Sequence, residues 1–186
     1  MPISILKNNF DLINQELDSL NADQNKEGQE HMYYYDDLCT VHCLRAQVLR
    51  LLLEKQPNCD IDKLREIHQT SVNTVLENAN KIELDHYIYY FTRYEKARLL
   101  MFDHDYDGAE AEIQVILRSA EKGQYNVGSG PHAKNKYSLE NALVFKCHSC
   151  NGKIQALKKS PASPASSKNN GTTSTSHKEV EEQDIE

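Results

Sequence analysis

The chain has 186 residues and a formal net charge of -7, and this length is enough for one domain with a buried core. The negative charge, together with the lack of a basic stripe with interleaved aromatic residues, argues against a nucleic-acid partner. No apolar run approaches the roughly 18 residues of a membrane span, and the first residues lack the basic region and apolar core of a secretory signal, so we expect a cytosolic protein without a membrane span.

Apolar residues recur along most of the chain at steps of three and four, which is the period of an amphipathic helix. The pattern predicts helices at residues 1–20, 33–54, 62–82, 86–102, 106–122 and 138–157. The polar residues 21–30 are expected to form a linker. Pro57 ends the second helix because it cannot continue the hydrogen-bond ladder. Asp60 or Asp62, and later Ser138, are candidate N-caps for the helices that follow them.

Residues 158–186 contain almost no apolar side chains. Such a segment cannot offset the entropy of ordering by burial, so we expect a disordered tail. The helices within residues 31–157 are joined mostly by short connections and show no convincing strand pattern. The sequence therefore predicts an all-α fold, in which antiparallel helix hairpins of tetratricopeptide-like repeats stack as a short solenoid.

The fourth and fifth predicted helices carry the most specific repeat pattern. Small Ala97 in the first of them is followed twelve residues later by Ala109 in the second. Tyr106 precedes Ala109 by three positions, while Ile113 and Ile116 follow it by four and seven. This spacing resembles a tetratricopeptide repeat, in which small residues let two helices approach and larger apolar residues fill the space beside them. We therefore predict that these five residues pack the hairpin.

The turn between these two helices, DHDYDGAEAEIQ at residues 103–114, begins like the calcium-binding loop of an EF-hand. That loop needs a carboxylate at its twelfth position, where this chain has the neutral amide Gln114. Asp105 is better explained as the N-cap of the next helix, and Asp107 as a charge near the positive end of its dipole. The sequence thus predicts a helix start here and no metal site.

Five cysteines are an odd number in a chain expected in the cytosol, so reduced thiols are the default. Cys147 and Cys150 form a C-x-x-C pair, which occurs in redox and zinc sites. Zinc would need two further ligands, for which Cys39 and Cys43 are the available thiol pair. Because Cys147 and Cys150 lie on the apolar stripe of a predicted helix, we favour small buried core residues. A thiol- or zinc-dependent protein using all four cysteines is the alternative.

Three segments within residues 33–158 resemble the C-terminal end of the fungal inclusion-body-clearance and mitochondrial-outer-membrane family, which is related to tetratricopeptide repeat protein 39 of animals. They are LCTVHCLRAQVLRLLLE, VLENANKIELDHYIYYFTRYEKARLLMFDHDYDGAEAEIQVIL and KNKYSLENALVFKCHSCNGKIQALK. The most specific pieces are the KI-x-x-DHY joint, the YEKARLL helix and the YSLENAL start of the closing helix.

The resemblance implies a non-enzymatic, cytosolic helical-repeat protein that acts at inclusion bodies and lipid droplets during protein-folding stress. It also implies the nucleus and the mitochondrial outer surface as further locations, and it brings no catalytic, cofactor or metal residue. Family members are longer, so residues 1–30 are expected to be the tail of a larger N-terminal part, and the chain to be a partial gene product.

No Ser–His–Asp or Cys–His order suggests a nucleophile, so we expect a protein-interaction scaffold without a cofactor rather than an enzyme. The tyrosine-rich segments HMYYYDD and HYIYYFTRYEK either pack between helices, which we favour, or line a peptide groove. An inactive fragment of a longer protein is a further alternative. Because so short a stack without capping repeats exposes apolar ends, we predict self-association.

Overall fold

The computed structural model describes residues 1–24, 32–55, 60–125, 127–129 and 133–159. Within these ranges the chain forms six α-helices and one 3-10 turn, and no β-strand. The α-helices are α1 (Ile3–Gln24), α2 (Tyr34–Lys55), α3 (Ile61–Asn78), α4 (Tyr87–Phe102), α5 (Tyr106–Lys122) and α6 (Glu140–Lys159), and the 3-10 turn is Ala79–Lys81. The prediction of an all-α fold is confirmed.

The helix ends agree with the sequence-based prediction where a capping residue marks them. Asp60 caps α3 by accepting a hydrogen bond from the backbone N–H of Lys63 at 3.4 Å, and Asp105 caps α5 by accepting from Gly108 at 2.9 Å. Gly123, with φ of 60°, ends α5 in the left-handed conformation that glycine adopts without strain.

Helix α3 ends at Asn78, four residues before the predicted end, and a 3-10 turn follows it. Two other helix ends also differ from the prediction. Helix α1 continues through residues 21–24, which had been assigned to the linker, because the first glycine or proline after Pro2 is Gly28 and nothing before it breaks the helix. The rest of the predicted linker, residues 25–30, lies outside the described part. Helix α6 begins two residues after Ser138, since Leu139 has a φ of 63° and cannot be helical.

The predicted tail is described only at its start, where Lys158 and Lys159 form the end of α6. The disorder predicted for the remainder, residues 160–186, concerns a part of the chain outside the described ranges. None of the helices in the described ranges is both long enough and apolar enough to cross a membrane.

The helices pack as a stack of hairpins, each contacting its neighbours. Helix α2 packs against α3, and α4 packs against α5. Because the connection between α4 and α5 has only three residues and the two helices pack side by side, they run antiparallel. Helix α1 covers α2, and α6 covers both α4 and α5. Helix α2 also contacts α4, and α4 contacts α6, so these three helices form one layer of the stack.

Three clusters of buried side chains make up the core. The largest joins α4, α5 and α6, and contains Tyr90, Tyr94, Ala97, Ala109, Ile113, Ile116, Leu117, Tyr125, Tyr137, Leu143, Cys147, Cys150 and Ile154. A second joins α2, α3 and the start of α4 through Cys39, Val75, Ile82 and Ile88. The third, Leu6, Val48 and Leu52, holds α1 on α2.

A buried carboxylate fixes the joint between the two hairpins. Asp36, which is 3% exposed in the first turn of α2, accepts three backbone hydrogen bonds. Its Oδ2 accepts from Glu83 at 3.0 Å, and its Oδ1 accepts from Leu84 at 2.8 Å and from Asp85 at 2.9 Å. These three N–H groups precede α4, so Asp36 sets where α4 begins relative to α2.

A buried ion pair links the C-terminal half of α2 to α4. Arg50 of α2 donates to Glu95 of α4 at 2.5 Å, and both side chains are 6% exposed. Arg50 also donates to Glu54 at 2.7 Å. Removing one member of such a pair leaves an uncompensated buried charge, so the pair defines the register of α2 against α4.

Candidate interaction site

A shallow groove with a volume of about 110 Å³ lies between α4 and α6. We call it the α4–α6 groove. Its lining consists of Tyr94, Arg98 and Met101 from α4, and Phe145, Lys146, Ser149, Cys150 and Lys153 from α6. Arg98 also reaches Glu54 of α2 at 3.5 Å, so the groove adjoins the last turn of α2.

The sequence builds this groove through the helical period of α6. Leu143, Cys147, Cys150 and Ile154 recur at steps of four and three and are buried against α4 and α5. The positions next to this stripe on one side are Lys146 and Lys153, which are therefore exposed beside α4. Two lysines separated by seven residues lie two turns apart on one edge of the helix.

The groove concentrates positive charge in an acidic chain. Its lining contains three cationic side chains, Arg98, Lys146 and Lys153, of which Arg98 is also paired with Glu54 of α2 at 3.5 Å, and the described residues that line it include no carboxylate. Lys146 Nζ lies 5.9 Å from the centroid of the Phe91 ring, and the Arg98 guanidinium donates to the hydroxyl of Tyr94 at 3.4 Å. Positive charges held over aromatic rings attract an anionic group while offering apolar contact beside it.

An exposed aromatic ring stands at the edge of this charge. Phe145 is 75% exposed, although it is a large apolar side chain in the middle of a helix. Single exposed apolar residues are ordinary on protein surfaces. Phe145 is notable because it adjoins a groove whose floor includes the sulfur atoms of Met101 and Cys150, which lie 3.9 Å apart. The arrangement suits a segment that carries both carboxylates and an aliphatic side chain.

The five residues predicted to pack the hairpin lie in the core between α4 and α5. Ala97, Ala109, Ile113 and Ile116 are each 0% exposed, and Tyr106 packs, partly buried, against the same cluster. Ala97 belongs to α4 and the other four residues belong to α5. Their contribution is to bring α4 and α5 together within the cluster that α6 also joins.

The four described cysteines are free thiols divided between two clusters of the core. Cys39 lies in the α2–α3–α4 cluster with Cys43 packed against it, while Cys147 and Cys150 lie in the α4–α5–α6 cluster. Burial raises the pKa of Cys39 and Cys147 to about 12 and that of Cys43 to about 11. A thiol with such a pKa stays protonated near neutral pH and is a poor nucleophile.

The carboxylates of the EF-hand-like turn point to separate partners. Asp103 pairs with Arg65 of α3, Asp105 caps α5, and Asp107 accepts from Lys158 of α6 at 2.6 Å. The described ranges contain no group of three or more His, Cys, Asp or Glu side chains placed to hold a metal ion. The turn thus acts in helix capping and in contacts between neighbouring helices.

The tyrosines of the described core mostly pack against one another. Tyr90 stacks on Tyr137 with ring centroids 4.6 Å apart, and Tyr125 meets both rings edge to face. All three are less than 9% exposed. Tyr94 differs, because it is buried yet its hydroxyl reaches the lining of the α4–α6 groove, where it accepts from Arg98.

Two functional features were not recognised in the sequence: the basic edge of α6 and the anchoring role of Asp36. The signal for the first was the seven-residue spacing of Lys146 and Lys153, placed beside the apolar stripe rather than opposite it. No protein-family model matches the chain, and no solved structure matches it significantly.

Proposed function

We propose that the chain is a non-enzymatic helical-repeat scaffold that binds an acidic segment of a protein partner in the α4–α6 groove. The observation that supports it is the combination of three cations, a Tyr94 hydroxyl and the exposed Phe145 ring at one place on the stack. A rigid layer of helices holds these groups, so binding costs little ordering of the scaffold.

The spacing of the cations defines the ligand more closely. Lys146 and Lys153 are seven residues apart on α6, which corresponds to a rise of about 10.5 Å at 1.5 Å per residue. In the polyproline II conformation the chain rises about 3.1 Å per residue with three residues per turn, so side chains three residues apart point the same way and lie about 9 Å apart. The preferred ligand is therefore a polyproline II segment with carboxylates three residues apart and an aliphatic or aromatic side chain that packs on Phe145.

The family resemblance supports a narrower form of the same proposal. In that form, the partners are lipid-droplet proteins and the process is the clearance of inclusion bodies after protein-folding stress. The alternative of a thiol- or zinc-dependent activity has less support, because the four described cysteines are divided between two clusters and all of them except the partly buried Cys43 are buried.

A comparison of charge-reversal variants tests the scaffold proposal. The groove variant carries Lys146→Glu and Lys153→Glu, and the matched control carries Lys7→Glu and Lys63→Glu, at exposed positions of α1 and α3. Both have the same change in net charge. Each is used for quantitative affinity purification from a fungal lysate under identical conditions, beside the unchanged chain.

We expect a set of proteins that the unchanged chain and the control variant retain and that the groove variant loses. Equal recovery by the groove variant and the control would show that the groove is not the recognition surface. Recovery of nothing above background by the unchanged chain would count against a scaffold function altogether.

A further inference from the structure

We infer that the α4–α6 groove binds the acidic segment 179–186 of this same chain, so that the segment competes with other ligands for the groove. This segment, EVEEQDIE, follows α6 in the sequence and lies outside the described ranges. The inference rests on the proposed function, since it names an intramolecular ligand for the same groove. Three observations carry it: charge, reach and spacing.

The charges of the two surfaces are complementary. Segment 179–186 has five carboxylates and no basic residue. The groove lining has three cations and, among its described residues, no carboxylate; Arg98 is shared with Glu54, so Lys146 and Lys153 are the main attraction for the segment. In a chain with a net charge of -7, this groove is a place where an acidic segment meets attraction rather than repulsion.

The segment is tethered at a suitable distance. Helix α6 ends at Lys159, so Lys153 and Lys146 lie about 9 Å and about 20 Å back along the helix axis at 1.5 Å per residue. Residues 160–178 connect α6 to the segment, and they are rich in Ser, Thr, Asn and Lys with few apolar residues. A random coil of this length has an end-to-end distance of about 24 Å.

A tether whose length matches the required span gives nearly the highest possible effective concentration, on the order of millimolar. At that concentration, even a weak contact between the segment and the groove is well occupied. A ligand added from solution then has to displace the segment, and its apparent affinity equals its intrinsic affinity multiplied by the fraction of grooves that are empty.

The spacing of the carboxylates also fits. Glu179 and Glu182 are three residues apart, and so are Glu181 and Asp184. In the polyproline II conformation either pair lies on one side of the chain and spans about 9 Å, close to the separation of about 10.5 Å between Lys146 and Lys153. The aliphatic side chain of Ile185, next to Asp184, is then within reach of the exposed Phe145 ring.

A single fluorescent reporter tests this directly in the full chain. The sequence contains no tryptophan, so Ile185→Trp introduces the only one. When the segment is docked, the introduced indole is expected to emit at shorter wavelength and with higher anisotropy than the same substitution in a free peptide of residues 177–186. We expect this difference to disappear in roughly 0.5 M NaCl, because screening weakens exposed charge pairs.

Charge reversal identifies the site of docking. In the reporter background, Lys146→Glu with Lys153→Glu is expected to abolish the emission shift, whereas the control Lys7→Glu with Lys63→Glu leaves it unchanged. Reversing the segment as well, with Glu181→Lys and Asp184→Lys added to the groove variant, is expected to restore it. An unfolded groove variant would not be rescued by changes in the tail, so rescue separates loss of contact from loss of structure.

Competition with an added peptide measures how strongly the chain's own segment weakens binding of other ligands to the groove. The probe is a labelled synthetic peptide of residues 177–186, added to the full chain. A chain whose own five carboxylates in segment 179–186 are replaced by amides is expected to bind this probe about three- to tenfold more tightly than the unchanged chain, since its groove is vacant. Equal binding by the two chains would contradict occupation by the segment.

Other outcomes overturn the inference without affecting the scaffold proposal. An emission shift that is absent from the parent chain, or that survives in the groove variant, would show that the segment does not bind here. A shift that appears only as the protein concentration rises would assign the contact to the segment of a second copy. In either case the groove variant can still lose its protein partners, so the two proposals fail separately.

Discussion

The anchoring of α4 by Asp36 makes a specific prediction about stability. The isosteric change Asp36→Asn keeps the shape of the side chain but removes its charge and one acceptor. The amide oxygen can still accept from two of the three N–H groups at 2.8–3.0 Å, while the amide nitrogen faces the third, donor against donor.

The expected loss follows from these three bonds. Hydrogen bonds to a charged group contribute about 1.5–3 kcal/mol each, and neutral ones about 0.5–1.5 kcal/mol. Weakening two bonds by about 1 kcal/mol each and losing the third gives a decrease of roughly 3.5–5 kcal/mol in the free energy of unfolding. For a chain of this size that corresponds to a melting temperature lower by about 7–20 °C.

Urea denaturation followed by circular dichroism in the far ultraviolet measures this loss. The matched control is Asp11→Asn on the exposed surface of α1, where we expect a change within about 0.5 kcal/mol. A decrease below about 1 kcal/mol for Asp36→Asn, less than the loss of a single charged hydrogen bond, would refute the view that this carboxylate positions α4.

Two further predictions concern the core. Ala97→Trp or Ala109→Trp places a large ring at a site with 0% exposure and should lower the free energy of unfolding by more than about 3 kcal/mol, whereas Ala111→Trp on the exposed side of α5 should leave it nearly unchanged in the same urea assay. Burial lowers the pKa of His42 and His68 from the usual 6.5 to about 4, so the unfolded chain binds more protons between these values. Stability should therefore be fully present above the unfolded pKa of about 6.5 and fall by about 1.4 kcal/mol per pH unit and histidine as pH drops toward about 4; His68→Gln should reduce that slope, and a pH-independent midpoint over this range would contradict the prediction.

The α4–α5 hairpin was accessible from sequence because local signals determine it. Asp105 caps α5, Gly123 ends it, and the alanines at positions 97 and 109 mark the close approach. Each of these features depends on residues only a few positions apart. The left-handed backbone conformation of Leu139 could not be predicted from the sequence. A φ of 63° is strained for a leucine and is tolerated only where the surrounding structure imposes it.

The contact between Asp36 and the residues before α4, and the α4–α6 groove, could not be predicted in the same way. Both depend on residues that are far apart in the sequence. Asp36 is 47 to 49 residues from the amides it binds. Lys146 and Lys153 look like ordinary solvent-facing lysines until α4 places Arg98 and Tyr94 beside them. A periodic pattern shows which side of a helix is buried, but not which polar edges of two helices meet.

The central claim, that the α4–α6 groove recognises acidic segments, is tested most directly by photocrosslinking from its edge. A photoreactive benzophenone amino acid replaces Phe145, which is 75% exposed, and in a control chain it replaces Val115, which is 37% exposed on α5. Both chains are irradiated in lysate, and the crosslinked peptides are identified by mass spectrometry. We predict that position 145 captures peptides rich in Asp and Glu, from this chain or from partner proteins, and that position 115 does not. Capture of the same peptides at both positions, or of peptides without acidic residues at position 145, would contradict the claim.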